Sequence, residues 1–140
     1  MPFIPYLSFQ GQCAEAFAFY GKVFGAEPVT SPFSEAPADS GAPDLPPEQR
    51  DWLMHAQIDT PDGVLMGADM PPQFGGQAQA GVSISVTRED EAAARALFDA
   101  LAEGGRVTMP LGPTFFARGF GMCTDRFGTS WMISHGMADC

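Results

Sequence analysis

The chain has 140 residues, with 17 acidic and 7 basic side chains and a formal net charge of −10. This length fits one domain, or two half-domains that share a core. Phosphate binding needs clustered Lys and Arg, so the acidic balance disfavours nucleic acid as a partner.

Membrane, secretory and disulfide signals are missing from the pattern of the sequence. No apolar run approaches the roughly 18 residues of a membrane span, so we expect no membrane association. The first residues lack a basic segment followed by an apolar stretch, so we expect no secretory signal. The three cysteines, Cys13, Cys123 and Cys140, have no CxxC spacing, which argues against a disulfide framework or a structural zinc site. We therefore expect a protein of the reducing cytoplasm.

The two halves of the chain carry similar patterns. A strand ending at Phe9 precedes a predicted helix over residues 13–24, which stops at Gly25. A strand over residues 82–86 precedes a second predicted helix over 88–103, with Thr87 as its expected N-cap. An offset of 78 residues pairs apolar positions such as Ala16 with Ala94.

Such a repeat fixes the architecture before any motif is considered. We expect an α+β fold of two βαβββ modules, residues 2–70 and 81–137, joined by a linker over 71–80. The modules should form a cup-like sheet around a cleft, which is a natural small-molecule site. Residues 31–51, rich in Pro, Ala, Ser and acids, interrupt the pattern. They are interpreted as a mobile loop, serving either as a flap or arm or as a disordered surface segment.

The segment 52–60 alternates as a half-buried strand does. Met54, Ala56 and Ile58 share one side, whereas His55 and Gln57 share the other, which should face the cleft or solvent. An imidazole suits proton transfer near neutral pH, so His55 is the best polar candidate for catalysis. The alternative is a histidine that only bonds to a neighbouring strand.

Other polar residues have two possible roles each. Asp69 ends an apolar strand and could orient His55, bind a cation, or cap the turn before Pro71. Asp125 is interpreted as a turn former, Cys123 as a buried packing residue, and His135 as a surface residue.

An aromatic and methionine-rich surface is predicted in the second half. Some of its side chains should line an apolar pocket, although most must be core. Thr114 and Arg118 flank it and could position an anionic group of a ligand. The candidate ligand-binding residues are Gln57, Phe116, Arg118, Phe120, Met122 and Trp131.

The sequence resembles PhnB-like proteins of the glyoxalase/bleomycin-resistance/dioxygenase group, the vicinal oxygen chelate superfamily. The resemblance rests on several short runs, of which the closing one is the most specific: PYLSF at 5–9, FGA at 24–26, MHA at 54–56, MPL at 109–111 and DRFGTSWMI at 125–133. It implies paired βαβββ modules and a homodimer.

Metal enzymes of this superfamily hold a divalent ion with His, Gln or Glu at four inward-facing strand positions. Carried over to this chain, these positions fall on Pro5, Gly67 or Asp69, Gly81 or Val82, and Met132. At most one ligand is retained, whereas a catalytic metal site needs about three. We therefore expect no metal and no cofactor. A methyltransferase activity, with which such proteins have been labelled, is not supported either, because the turn after Phe9 has a single glycine.

The interpretation that follows is a metal-free protein that binds a small organic molecule in an apolar cup. If it is an enzyme, His55 would be the acid/base and Asp69 its partner. A drug-sequestering protein and a metal-dependent lyase or dioxygenase are the alternatives.

Overall fold

The computed structural model describes residues 2–36 and 45–137. The chain divides into two compact units, residues 1–79 and 80–140. Each unit contains one helix and one four-stranded sheet.

Unit 1 is a βαβββ module. Its elements are β1 (Tyr6–Phe9), α1 (Cys13–Phe24), β2 (Val29–Pro32), β3 (Leu53–Thr60) and β4 (Gly63–Asp69). The strand order is β1-β4-β3-β2; β1 is parallel to β4, and the other pairs are antiparallel.

Unit 2 repeats this topology. Its elements are β5 (Ser83–Arg88), α2 (Glu91–Ala102), β6 (Arg106–Gly112), β7 (Ala117–Thr124) and β8 (Ser130–Met137). The order is β5-β8-β7-β6, again with one parallel pair, β5 with β8. The two helices have 12 residues each and begin 78 positions apart. The α+β fold of two βαβββ modules is therefore confirmed.

Helix α1 packs its apolar stripe on the sheet of unit 1. Ala16, Phe17 and Tyr20 are buried, and the Phe17 ring meets those of Phe9 and Tyr20 edge-on at 6.3 and 5.5 Å. Gly25 ends the helix with φ 71°, a left-handed conformation that favours glycine. The predicted bounds and stop of this helix are confirmed.

Helix α2 begins later than the sequence predicts. Thr87 and Arg88 are still part of β5, where they pair with Ser134 and His135 of β8. Asp90 is the N-cap instead, and its carboxylate accepts a hydrogen bond of 2.8 Å from the Ala93 N–H. The prediction of Thr87 as N-cap was wrong because strand pairing continues through that residue.

The long connection of unit 1 is partly tied to the sheet. It contains short 3₁₀ turns at Phe33–Glu35 and Pro47–Gln49. Backbone hydrogen bonds of 2.9 Å join Phe33 to Trp52 and Ser34 to Arg50, continuing the pairing beyond β2. The centre of the predicted mobile loop, residues 37–44, lies outside the described residues. Within the described ranges, no helix has the length and apolar character needed to cross a membrane.

Candidate functional site

The sheet of unit 1 has one face covered by α1 and one that this helix does not cover. Ala56 and Ile58 of β3 are buried on the α1 side, where the Phe17 ring of α1 also lies against Gly67 of β4. Because side chains alternate along a strand, His55 and its neighbours at 57 and 59 project to the opposite side. We call this the helix-free face of unit 1. The strand alternation predicted for residues 55–59 is confirmed.

Four side chains on this face form one hydrogen-bonded chain. The Tyr6 hydroxyl lies 3.1 Å from His55 Nδ1, and His55 Nε2 lies 3.3 Å from Gln57 Oε1. Gln57 Nε2 donates to Asp59 Oδ1 at 2.8 Å. Both ring nitrogens of the candidate His55 are therefore engaged.

The chemistry of the end groups gives this chain a direction. A carboxylate only accepts, so the amide nitrogen of Gln57 faces Asp59 and its oxygen faces His55. An amide oxygen also only accepts, so His55 carries its proton on Nε2. Nδ1 is then a bare acceptor, and the Tyr6 hydroxyl donates to it. The neutral Nε2–H tautomer of His55 is fixed by its neighbours.

Sequence reasoning did not single out Tyr6 as a site residue. It is about half exposed, and its ring centroid lies 5.8 Å from that of His55. Partial burial, and then the charge of nearby Cys13, raise the pKa of the Tyr6 phenol above its usual value. Its hydroxyl thus stays protonated at neutral pH. Only the parallel pairing of β1 with β4 brings Tyr6 near β3, and a periodicity pattern does not reveal that pairing.

Asp69 is not the partner of His55. It is 1% exposed on the side of α1, where Oδ1 accepts from the backbone N–H groups of Gly11 at 2.7 Å and Cys13 at 3.0 Å. Oδ2 accepts from the Leu53 N–H at 2.9 Å. The role predicted for Asp69 as the orienting group of His55 is corrected. The carboxylate ties three backbone segments together, because it ends β4 beside the first turn of α1.

The helix-free face of unit 2 gathers most of the predicted ligand residues. Arg118, Phe120 and Met122 alternate along β7 with buried residues, so they share one side. The Phe116 ring lies 5.0 Å from that of Phe120, and Met122 pairs with Met132 of β8. This surface has an aromatic cluster, two thioethers and one exposed guanidinium.

Trp131 does not belong to that surface. It is 1% exposed on the opposite side of β8, and its indole N–H donates to Asp125 Oδ2 at 2.9 Å. Its prediction as a ligand-binding residue is corrected, because its position places it in the core. Asp125 Oδ1 also accepts from the backbone of Phe127 and Thr129, which confirms its role in the turn.

His135 and Cys123 are both buried. His135 is 9% exposed and its ring lies against Gly119, where a Cβ would overlap it. The surface position predicted for His135 was therefore wrong. Burial, and then the charge of Asp125, raise the pKa of the Cys123 thiol to about 11, in agreement with a packing role.

The side chains present do not fit a divalent metal site. Across residues 2–36 and 45–137, no three His, Cys, Asp or Glu side chains are close enough together to hold an ion. Of the positions that the resemblance suggested, Gly67 has no ligand atom in its side chain and the carboxylate of Asp69 is occupied by three amides. Met132 offers only a soft thioether.

The fold and these motifs place the chain in a known family. A model of the glyoxalase/bleomycin resistance protein/dioxygenase superfamily matches residues 5–133. The chain belongs to this superfamily, whose members bind small molecules, and the predicted resemblance is confirmed.

Particular relatives match over almost the whole chain. Protein YjdN of Escherichia coli strain K12 is 34% identical over 140 residues, which cover 96% of this chain and 95% of that protein. The crystal structure of protein PA1353 from Pseudomonas aeruginosa is 41% identical, covers 99% of both chains and has a TM-score of 0.86. A PhnB protein from Bacillus cereus, described as a putative 3-demethylubiquinone-9 3-methyltransferase, is 26% identical, with a TM-score of 0.74 and coverage of 96% and 99%.

Proposed function

We propose that this protein binds a small organic molecule without a metal, and that His55 exchanges a proton with it. The observation that carries the proposal is the directed chain from Tyr6 through His55 and Gln57 to Asp59. It holds one imidazole tautomer on a sheet face that the helix of its own unit leaves uncovered. A group whose proton position is fixed in advance is suited to proton transfer.

The test is a fragment screen on ¹⁵N-labelled protein. The proposal predicts fragments that shift the ring resonances of His55 and the backbone resonances of β3. Only two histidines occur in the chain, and buried His135 serves as the internal reference. Fragments that bind without shifting any resonance of the helix-free face of unit 1 would contradict the assignment of the site.

The helix-free face of unit 2 is proposed as a further contact surface for apolar rings. Phe116, Phe120 and Met122 supply polarizable area, and Arg118 can pair with an anionic group. Substituting Phe120→Ala should weaken aromatic fragments and leave aliphatic ones unchanged.

Sequestration of a cationic drug is the second candidate function. It is favoured by the net charge of −10, which raises the local concentration of cations. Titration of a bleomycin-type compound at low and high salt separates the two functions. Tight binding that salt weakens supports sequestration, whereas no heat of binding removes it.

We also propose that the protein acts as a homodimer in the cytoplasm. Fully exposed aromatic side chains, Phe3 and Phe115, support a self-association surface, and the unpaired buried thiols of Cys13 and Cys123 support a reducing compartment. Light scattering on purified protein should give about twice the chain mass of 14.9 kDa.

A further inference from the structure

The hydrogen-bonded chain on the helix-free face of unit 1 also determines which atoms it offers to a ligand. Asp59 and Gln57 are joined to each other, and both ring nitrogens of His55 are engaged. The Tyr6 hydroxyl proton is directed at His55 Nδ1, so a lone pair of the phenol oxygen faces away from the chain.

We propose that Tyr6 is a specificity-determining residue, which rests on the proposed function and selects ligands that present an N–H donor, such as an amide or amine, to the Tyr6 oxygen. A ligand group that can only accept would meet the same lone pair and be repelled. Rotating the hydroxyl toward such a ligand would leave Nδ1 without its donor, which has a free-energy cost.

The selection reverses when His55 is protonated. An imidazolium donates from both nitrogens, so Nδ1–H then occupies the Tyr6 oxygen and the phenol proton turns to the ligand. The other titratable groups on the strands of unit 1 are Asp59, at the far end of the chain, and Asp69, on the α1 side. Neither contacts the Tyr6 hydroxyl, since Asp59 bonds to Gln57 and Asp69 to backbone amides.

The raised pKa of Tyr6 agrees with this role. Partial burial keeps the phenol protonated well above neutral pH, so the hydroxyl remains a donor to His55 in the neutral state of the ring. A phenolate, which would accept from any donor without regard to His55, is avoided.

The test uses two probes that differ only in their N–H groups, benzamide and N,N-dimethylbenzamide. Their dissociation constants are measured by NMR titration of the full chain at about pH 8, where an imidazole is ordinarily neutral. We expect the wild-type protein to prefer benzamide about fivefold or more, the value of roughly one hydrogen bond. Tyr6→Phe, which keeps the ring and removes the hydroxyl, should abolish the preference. Thr30→Val, which removes an exposed hydroxyl from β2, should retain it.

The same titration at about pH 5, with His55 protonation followed by its ring ¹⁵N shifts, should remove the preference in wild-type protein. A preference that persists in Tyr6→Phe is steric and overturns the inference, as does an equal affinity of wild-type protein for both probes at the higher pH. Equal affinities accompanied by shifts at His55 leave the proposed function intact. If neither probe shifts the His55 ring, this inference fails together with the proposed function for such ligands.

Discussion

The carboxylate of Asp69, at the end of β4, accepts a hydrogen bond from the N–H of Cys13, the first residue of α1, 56 positions earlier in the chain. The N-cap residue of α1, Gln12, provides no side-chain hydrogen bond of its own. A distant acid thus satisfies a helix amide that a local cap would otherwise bind. Its charge also lies at the positive end of the helix dipole.

Substituting Asp69→Asn should destabilise unit 1 strongly. An amide nitrogen would face at least one of the three backbone N–H groups that the carboxylate now binds, leaving buried donors unsatisfied. We expect the free energy of unfolding in urea to fall by about 3 kcal/mol. The matched control, Asp99→Asn on the exposed side of α2, should change it by less than about 0.5 kcal/mol. Equal effects of the two substitutions would show that Asp69 has no special structural role.

Gly67→Ala should destabilise the contact between α1 and β4. A Cβ at this position would lie 2.7 Å from Phe17 Cε2 and 3.0 Å from the Leu7 carbonyl oxygen, and the latter belongs to the backbone and cannot rotate away. We expect a loss of about 2 kcal/mol in unfolding free energy, as is typical of overpacking.

Gly112→Ala is the control for that substitution. No atom lies within 4 Å of a Cβ at Gly112, and its φ is not positive. Its effect should stay within about 0.5 kcal/mol. A similar loss at both positions would indicate a general effect of alanine rather than a clash with Phe17.

Cys123 should be unreactive in the folded protein. With its pKa raised to about 11, roughly one thiol in a thousand is a thiolate at pH 8. Iodoacetamide labelling followed by mass spectrometry should leave Cys123 unmodified under native conditions and label it fully in urea. Labelling within minutes in native protein would contradict the burial of this residue.

The same shift predicts how stability depends on alkaline pH. The thiol of the unfolded chain ionises at lower pH than the folded one, so the unfolded state binds fewer protons in this range. The contribution of Cys123 is therefore fully present below about pH 9 and is lost as the pH rises toward about 11. Cys123→Ala should flatten this decline in urea unfolding, and an unchanged slope would contradict the shift.

Local pattern was sufficient to predict the repeated modules. The apolar spacing from Ala16 to Tyr20, the glycine after Phe24 and the alternation around His55 each depend on neighbours along the chain. The start of α2 was predicted three residues too early because β5 is extended by pairing with β8, which is a long-range property.

The candidate site was predicted only where alternation alone decides it. His55 and Gln57 were found because they share a parity. The roles of Asp69 and Tyr6 depend on the register of β4 with β1, which brings Tyr6 beside Met66 and Phe9 beside Asp69. No short-range pattern reveals that register, so Asp69 was given a catalytic role and Tyr6 none.

The most direct test of the central claim compares wild-type protein with His55→Ala by calorimetry, using a ligand found in the fragment screen. The account predicts at least about a tenfold loss of affinity, because a hydrogen-bonding, proton-exchanging contact disappears. The unfolding free energy should change by less than about 1 kcal/mol, since His55 lies outside the core. Unchanged affinity in a folded His55→Ala protein would contradict the account.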